Sequence, residues 1–173
     1  MTLLSDLVAE LKTLEEEGFL SSWCMPVLLH REERDDDEDR AFKTGITDPR
    51  GNKLELAAGL TTHPDLSVIR ILKRPGGPFK DRISVGRSRN SDIHVDYPKI
   101  SKFHAYFTWS EDKTRYHLTD AGSTNGTFVN SHKLTAGQPV ILPDRAMVSF
   151  GRYHFRFHMP RGLYEVVSEI AFG

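Results

Sequence analysis

The chain has 173 residues, 38% of them hydrophobic and 27% charged, with a formal net charge of −1. That length suits one domain of ordinary size with some chain left for an extra element, and the near-neutral balance excludes the broad positive field of a nucleic-acid binder, so anion binding must be local. One cysteine, Cys24, excludes an internal disulfide. No apolar run approaches the roughly 18 residues that span a bilayer, and acids interrupt the first apolar pattern, so no signal peptide is expected and the default setting is cytoplasmic.

Leu3, Leu4, Leu7, Val8, Leu11 and Leu14 recur at three- and four-residue spacing, which predicts an amphipathic N-terminal helix. Thr2 stands where an N-cap would, and Gly18 where the helix would stop. The pattern is too short for a coiled coil. An apolar stretch through Trp23, Met25, Val27, Leu28 and Leu29 leads into a charge run from Arg31 to Arg40. Asp35, Asp37 and Asp39 alternate as in a calcium loop, yet Arg40 occupies the turn-glycine position and Ile46 that of the bidentate glutamate, so a solvated linker is expected and no metal site. Phe42, Thr44 and Ile46, then Asp48-Pro49-Arg50-Gly51, then Leu54 and Leu56, suggest a hairpin, although Leu54 to Leu60 also fits a helical turn.

From about Leu66 short strands follow one another with turn residues between them. They are expected near Val68–Lys73, Phe79–Val85, Ile93–Val95, Ala105–Trp109, Arg115–Asp120, Thr127–Val129, Gln138–Ile141, Met147–Phe150 and His154–His158. Such spacing argues for an antiparallel sandwich. Leu163, Val166, Val167 and Ile170 return to helical spacing and predict a short C-terminal helix packed beside the first. The expected organisation is an extension over 1–60, a β-sandwich over 61–160 and a helix over 161–173.

Three short groups fall where strand patterns break into turns: Gly86-Arg87, Ser101-Lys102-Phe103-His104 and Thr124-Asn125-Gly126. Loops at one end of a sheet commonly build binding sites. Gathered there, these residues make a pocket rich in donors and without an evident general base, which suits a bound phosphate better than a reaction. A guanidinium such as that of Arg87 grips two phosphate oxygens at once. Ser101, His104 and Asp120 or Asp92 name the parts of a catalytic triad, but no nucleophile elbow or oxyanion loop accompanies them. Phe103 is expected at the core or the loop base. The other histidines show no ligand spacing; His154 and His158 would share a strand face roughly 13 Å apart, too far to chelate one ion.

The order Gly86-Arg87-Ser88, Asn90-Ser91-Asp92-Ile93, Ser101-x-x-His104-Ala105, Asp120-x-x-Ser123-Thr124-Asn125-Gly126-Thr127-Phe128-Val129-Asn130, Leu134, Gly137 and Phe150-Gly151 resembles a forkhead-associated (FHA) domain over about 67–160. The resemblance implies a mainly β fold, an antiparallel β-sandwich of about eleven strands, that binds phosphothreonine in partner proteins. It implies phosphopeptide contact by Arg87, Ser101, Lys102 and Thr124, with Asn125 on the peptide backbone, and support of the loops by Gly86, His104 and Gly126. Family members select the residue three places after the phosphothreonine, and Lys99 and Arg152 lie in the corresponding regions, suited to an acidic residue there. The expected function is therefore a phosphothreonine-dependent interaction module downstream of a serine/threonine kinase. It would have no catalysis, cofactor, nucleic acid or membrane partner. The alternatives are a phosphate-independent scaffold that binds through the N-terminal extension, and a hydrolase using Ser101 and His104. A phosphorylated Thr62, with Asp65 three places on, would also allow head-to-tail association of copies.

Overall fold

Alternating apolar residues along short strands produce two stacked sheets in the computed structural model, which describes residues 2–31, 63 and 65–173. The charge run beyond Arg31, the hairpin over 42–56 and Thr62 lie outside the described residues. In chain order the elements are β1 (Thr2–Leu3), α1 (Leu4–Leu11), α2 (Glu16–Ser22), β2 (Val27–His30), β3 (Ser67–Arg70), β4 (Ile83–Gly86), β5 (Ile93–His94), β6 (Ala105–Trp109) and β7 (Tyr116–Asp120). There follow β8 (Thr127–Val129), β9 (His132–Lys133), β10 (Val140–Ile141), β11 (Met147–Phe150), β12 (Tyr153–His158) and α3 (Pro160–Phe172). One sheet has the strand order β1-β3-β2-β12-β11-β8-β9, the other β10-β7-β6-β4-β5. The fold is mainly β, as expected, with twelve strands among the described residues. One pair departs from the antiparallel rule: β4 and β5 run parallel, Val85 opposite Ile93.

Between the sheets lies a core containing Leu28, Val85, Phe107, Leu118, Val148, Phe150, Phe155 and Phe157. A second apolar layer covers the outer face of the larger sheet, where Leu4, Leu7 and Leu11 of α1, Phe19 of α2 and Leu163 and Val167 of α3 meet Val27, Leu29 and Val68. The architecture is thus helices on sheet on sheet. This layering explains β2. Leu28 points into the sandwich and its neighbours Val27 and Leu29 point to the helices, so all four residues of the strand are buried and no polar alternation marks it.

Two expectations at the N-terminus are corrected. Thr2 does not cap α1: it pairs with Val68 in the sheet, and Leu3 is the N-cap, its amide donating to the Asp6 carboxylate at 2.8 Å. Gly18 does not end a helix; the chain turns after Leu11, and Gly18 lies within a second helix that brings Phe19 and Trp23 onto the core. The C-terminal helix packs beside α1 through the shared apolar layer.

Burial of histidine sets an acid limit on this fold. His30 and His158 are 3% and 0% exposed, and burial lowers the pKa of each to about 4. Neither ring nitrogen of His158 has a hydrogen-bond partner. Both are neutral when folded and take up a proton near pH 6.5 when unfolded, so stability falls as pH drops from about 6.5 to about 4, by up to about 1.4 kcal/mol per pH unit for each. Thermal denaturation between pH 7 and pH 4.5 is expected to record that decline, with a shallower slope in His158→Leu.

Candidate functional site

The three sequence groups converge because main chains cross closely at one end of the sandwich. Gly86, at the end of β4, runs against the segment Ser101-Lys102: the amide of Arg87 donates to the Ser101 carbonyl at 2.9 Å and that of Ser88 to the Lys102 carbonyl at 3.1 Å. A Cβ on Gly86 would stand 2.2 Å from the Lys102 carbonyl oxygen, so only glycine permits this approach. Here the sequence needs Gly86 for space; its φ is not in the left-handed region. Gly126 does lie there, at φ +82°, turning the chain into β8.

Two buried carboxylates fix the loops. Asp92 accepts from the amide and hydroxyl of Ser84 at 2.8 and 2.7 Å, from the Arg74 amide at 3.0 Å and from Lys73 Nζ at 2.8 Å. Asp120 accepts from the amides of Gly122 and Ser123 at 2.9 and 3.1 Å and from the hydroxyls of Ser123 and Thr127, both at 2.6 Å. Burial alone would raise both carboxyl groups, but these bonds outweigh it and hold each below the ordinary carboxylate range. Asp120 therefore shapes the turn that presents Thr124 and Asn125.

His104 is fully buried and spans two loops: its Nδ1 accepts from the Ser101 amide at 3.1 Å and its Nε2–H donates to the Gly126 carbonyl at 3.1 Å. Burial lowers its pKa, so the ring is neutral with the proton on Nε2. Both nitrogens are committed, and the Ser101 hydroxyl is bonded elsewhere: Thr124 N–H donates to Ser101 Oγ at 3.1 Å, and the two hydroxyls stand 3.5 Å apart. The serine and histidine do not form a nucleophile–base pair.

Arg87, Ser101, Lys102, Thr124 and Asn125 line one open cleft of 440 Å³, together with Pro98, Lys99 and Ile100. Its lining includes three cations and no carboxylate. Arg87 Nε donates to the Ile100 carbonyl at 3.2 Å, which aims the rest of the guanidinium outward, and Asn125 Nδ2 donates to the Lys99 carbonyl at 2.7 Å. Of the two residues named for selectivity, Lys99 lines the cleft; Arg152 stands over the Tyr153 ring, 5.6 Å from its centroid, and is not part of the lining. Pro98 and Ile100 escaped the sequence reading, although their place beside Ser101 was a signal for them. Of the two places expected for Phe103, the central core is not the one it takes: it is half-buried and packs with Phe79 and Tyr106, ring centroids 5.1 and 6.0 Å away.

The family model of the FHA domain matches residues 83–151. The chain is 34% identical over 77 residues to protein phosphatase 2C 70 of Arabidopsis thaliana, a match covering 40% of this chain and only 13% of that much longer relative. It is 29% identical over 106 residues to the oxoglutarate dehydrogenase inhibitor of Corynebacterium jeikeium, covering 58% of this chain and 70% of that protein. Among solved structures, the yeast Dun1 FHA domain in complex with a doubly phosphorylated peptide is 22% identical, with a TM-score of 0.47 and coverage of 78% of this chain and 73% of that one.

Asp120→Ala leaves four donors without their acceptor and is expected to cost about 2–4 kcal/mol in urea denaturation. Gly86→Ala is expected to cost about 2 kcal/mol or more, because the atom it meets is main chain and cannot swing aside.

Proposed function

We propose that this chain is a phosphothreonine-dependent interaction module without catalytic activity. The observation that carries the reading is the convergence of Arg87, Ser101, Lys102, Thr124 and Asn125 on one cleft inside the segment matched by the FHA family. A phosphate dianion taken from water needs charge-assisted donors on several sides. Arg87 and Lys102 supply charge, with Lys99 beside them, and the hydroxyls of Ser101 and Thr124 supply neutral donors. Asn125 uses one amide hydrogen on Lys99, which leaves its carbonyl oxygen and second hydrogen for an extended peptide backbone. The occupied nitrogens of His104 support recognition over hydrolysis.

Gly86, His104 and Gly126 hold the loops. The carbonyl of Gly126 accepts from both His104 and the Gly151 amide, tying the turn after Asn125 to the end of β11. Lys99 is the cation better situated to select an acidic peptide residue near the phosphothreonine. Such a module would act downstream of a serine/threonine kinase, in a cytoplasmic setting, and needs no cofactor. The partner is a phosphorylated protein, and among the described residues β2 extends the larger sheet while α1, α2 and α3 cover its outer face.

The test is a calorimetric titration with phosphothreonine, phosphoserine and unphosphorylated forms of one degenerate peptide. Binding is expected in that order, to weaken as salt rises, and to fall at least thirtyfold, about 2 kcal/mol, in a folded Arg87→Ala protein. Equal binding of the unphosphorylated peptide would overturn the proposal.

A further inference from the structure

One wall of the cleft, from Pro98 to Ser101, has neither helix nor strand to define it. Its main-chain carbonyls nevertheless orient two of the binding side chains: Lys99 O receives Asn125, and Ile100 O receives Arg87. Whatever holds this wall therefore sets the geometry of both. Part of the hold is local, since Ile100 is buried in the core and its amide closes a turn onto the Tyr97 carbonyl at 3.0 Å. At its Ser101 end the wall is held by Arg87, His104 and Thr124, and at its start by the Tyr97 side chain. Its ring stacks on Tyr153, with centroids 4.2 Å apart and planes 13° from parallel, and its hydroxyl lies 2.7 Å from His30 Nε2.

His30 belongs to β2 and sits on the inner face of the larger sheet, its ring stacked on Phe155 at 4.2 Å. Its Nδ1 lies 2.8 Å from the His154 carbonyl oxygen. A carbonyl only accepts, so the proton resides on Nδ1; Nε2 must then accept, and the Tyr97 hydroxyl donates. The polarity of the whole chain is thereby fixed, from Tyr97 through His30 to the main chain of β12. His30, Tyr153 and His154 all lie outside 83–151.

We propose that His30 is a positioning residue for the phosphopeptide cleft, acting through the Tyr97 hydroxyl to hold the Pro98–Ser101 wall in its binding geometry. The inference rests on the phosphothreonine reading above. It assigns the strand from the N-terminal part of the chain a share in recognition, although that strand does not line the cleft.

Tyr97→Phe is the sharpest test, because it removes the hydroxyl and keeps the stacked ring. In the full chain, amide hydrogen exchange at Lys99–Lys102 is expected to rise at least about threefold while the amides of β6, β7 and β12 stay unchanged. The Kd for a phosphothreonine peptide is expected to weaken by about threefold to tenfold. His30→Ala should act in the same direction, and the double variant should fall no further in affinity than the weaker single variant, as for two members of one chain. A Tyr97→Phe protein with wild-type exchange at Lys99–Lys102 overturns the inference, as does unchanged affinity in a variant whose Arg87→Ala counterpart loses binding. If the wild-type protein fails to distinguish phosphorylated from unphosphorylated peptide, it is the phosphothreonine reading that fails, and the exchange measurement then decides the anchor by itself.

Discussion

The close crossing of main chain at Gly86 is the constraint on which the site depends. Two amides, those of Arg87 and Ser88, reach the carbonyls of Ser101 and Lys102, and this pairing is possible only where no Cβ intervenes. It brings a loop that would otherwise end freely after β4 against one that lies 13 or more residues further along, and so places the guanidinium of Arg87 beside the Ile100 carbonyl. Every other fixture works on top of that contact. His104 ties the Ser101 loop to Gly126, Asp120 shapes the turn carrying Thr124 and Asn125, and Asp92 secures β4 against the loop before β5. The cleft is charged at its lip and carried on neutral or compensated groups beneath.

The sandwich also has an unequal environment on its two outer faces. Helices α1, α2 and α3 cover the larger sheet, and their apolar residues make β2 and β3 dependent on both sides for burial. On the smaller sheet the outer side carries Tyr106 with Arg82 above it, 4.6 Å from the ring centroid. Buried Leu28, with β12 on one side and β3 on the other, joins the N-terminal chain to the sheet that also contains β8 and β11, the strands flanking Asn125 and Gly151. The helical layer is thereby coupled to the cleft end through a single continuous sheet.

Much of this was legible in the sequence because turn residues carry the site. Gly86, Arg87, Ser101, Thr124 and Asn125 each fall at a break in strand alternation, and their order along the chain was sufficient to gather them at one end. The central strands β6, β8 and β11 were readable to the residue: β6 and β8 alternate buried and partly exposed positions, and in β11 Val148 and Phe150 face the core with Ser149 between them. What failed did so for physical reasons. Val27–His30 is buried on both faces and shows no period; Thr2–Leu3 and His132–Lys133 are too short to show one. Gly18 looked like a stop because helix propensity is local, whereas burial of Phe19 and Trp23 is tertiary and continues the helix through it. Tyr97 and His30 meet across 67 residues, a contact that no local pattern announces.

That distance has a kinetic meaning. His30 and His154 are 124 residues apart in the chain, and the strand pair that joins them closes a long loop before its contacts return any free energy. Hairpins such as β6–β7 and β11–β12 need only short closures and can form early. The pairing of β2 with β12 belongs to the late, non-local part of folding. Chain separation thus favours early assembly of the cleft loops from near neighbours, with the histidine beneath them seated when the most distant segments meet.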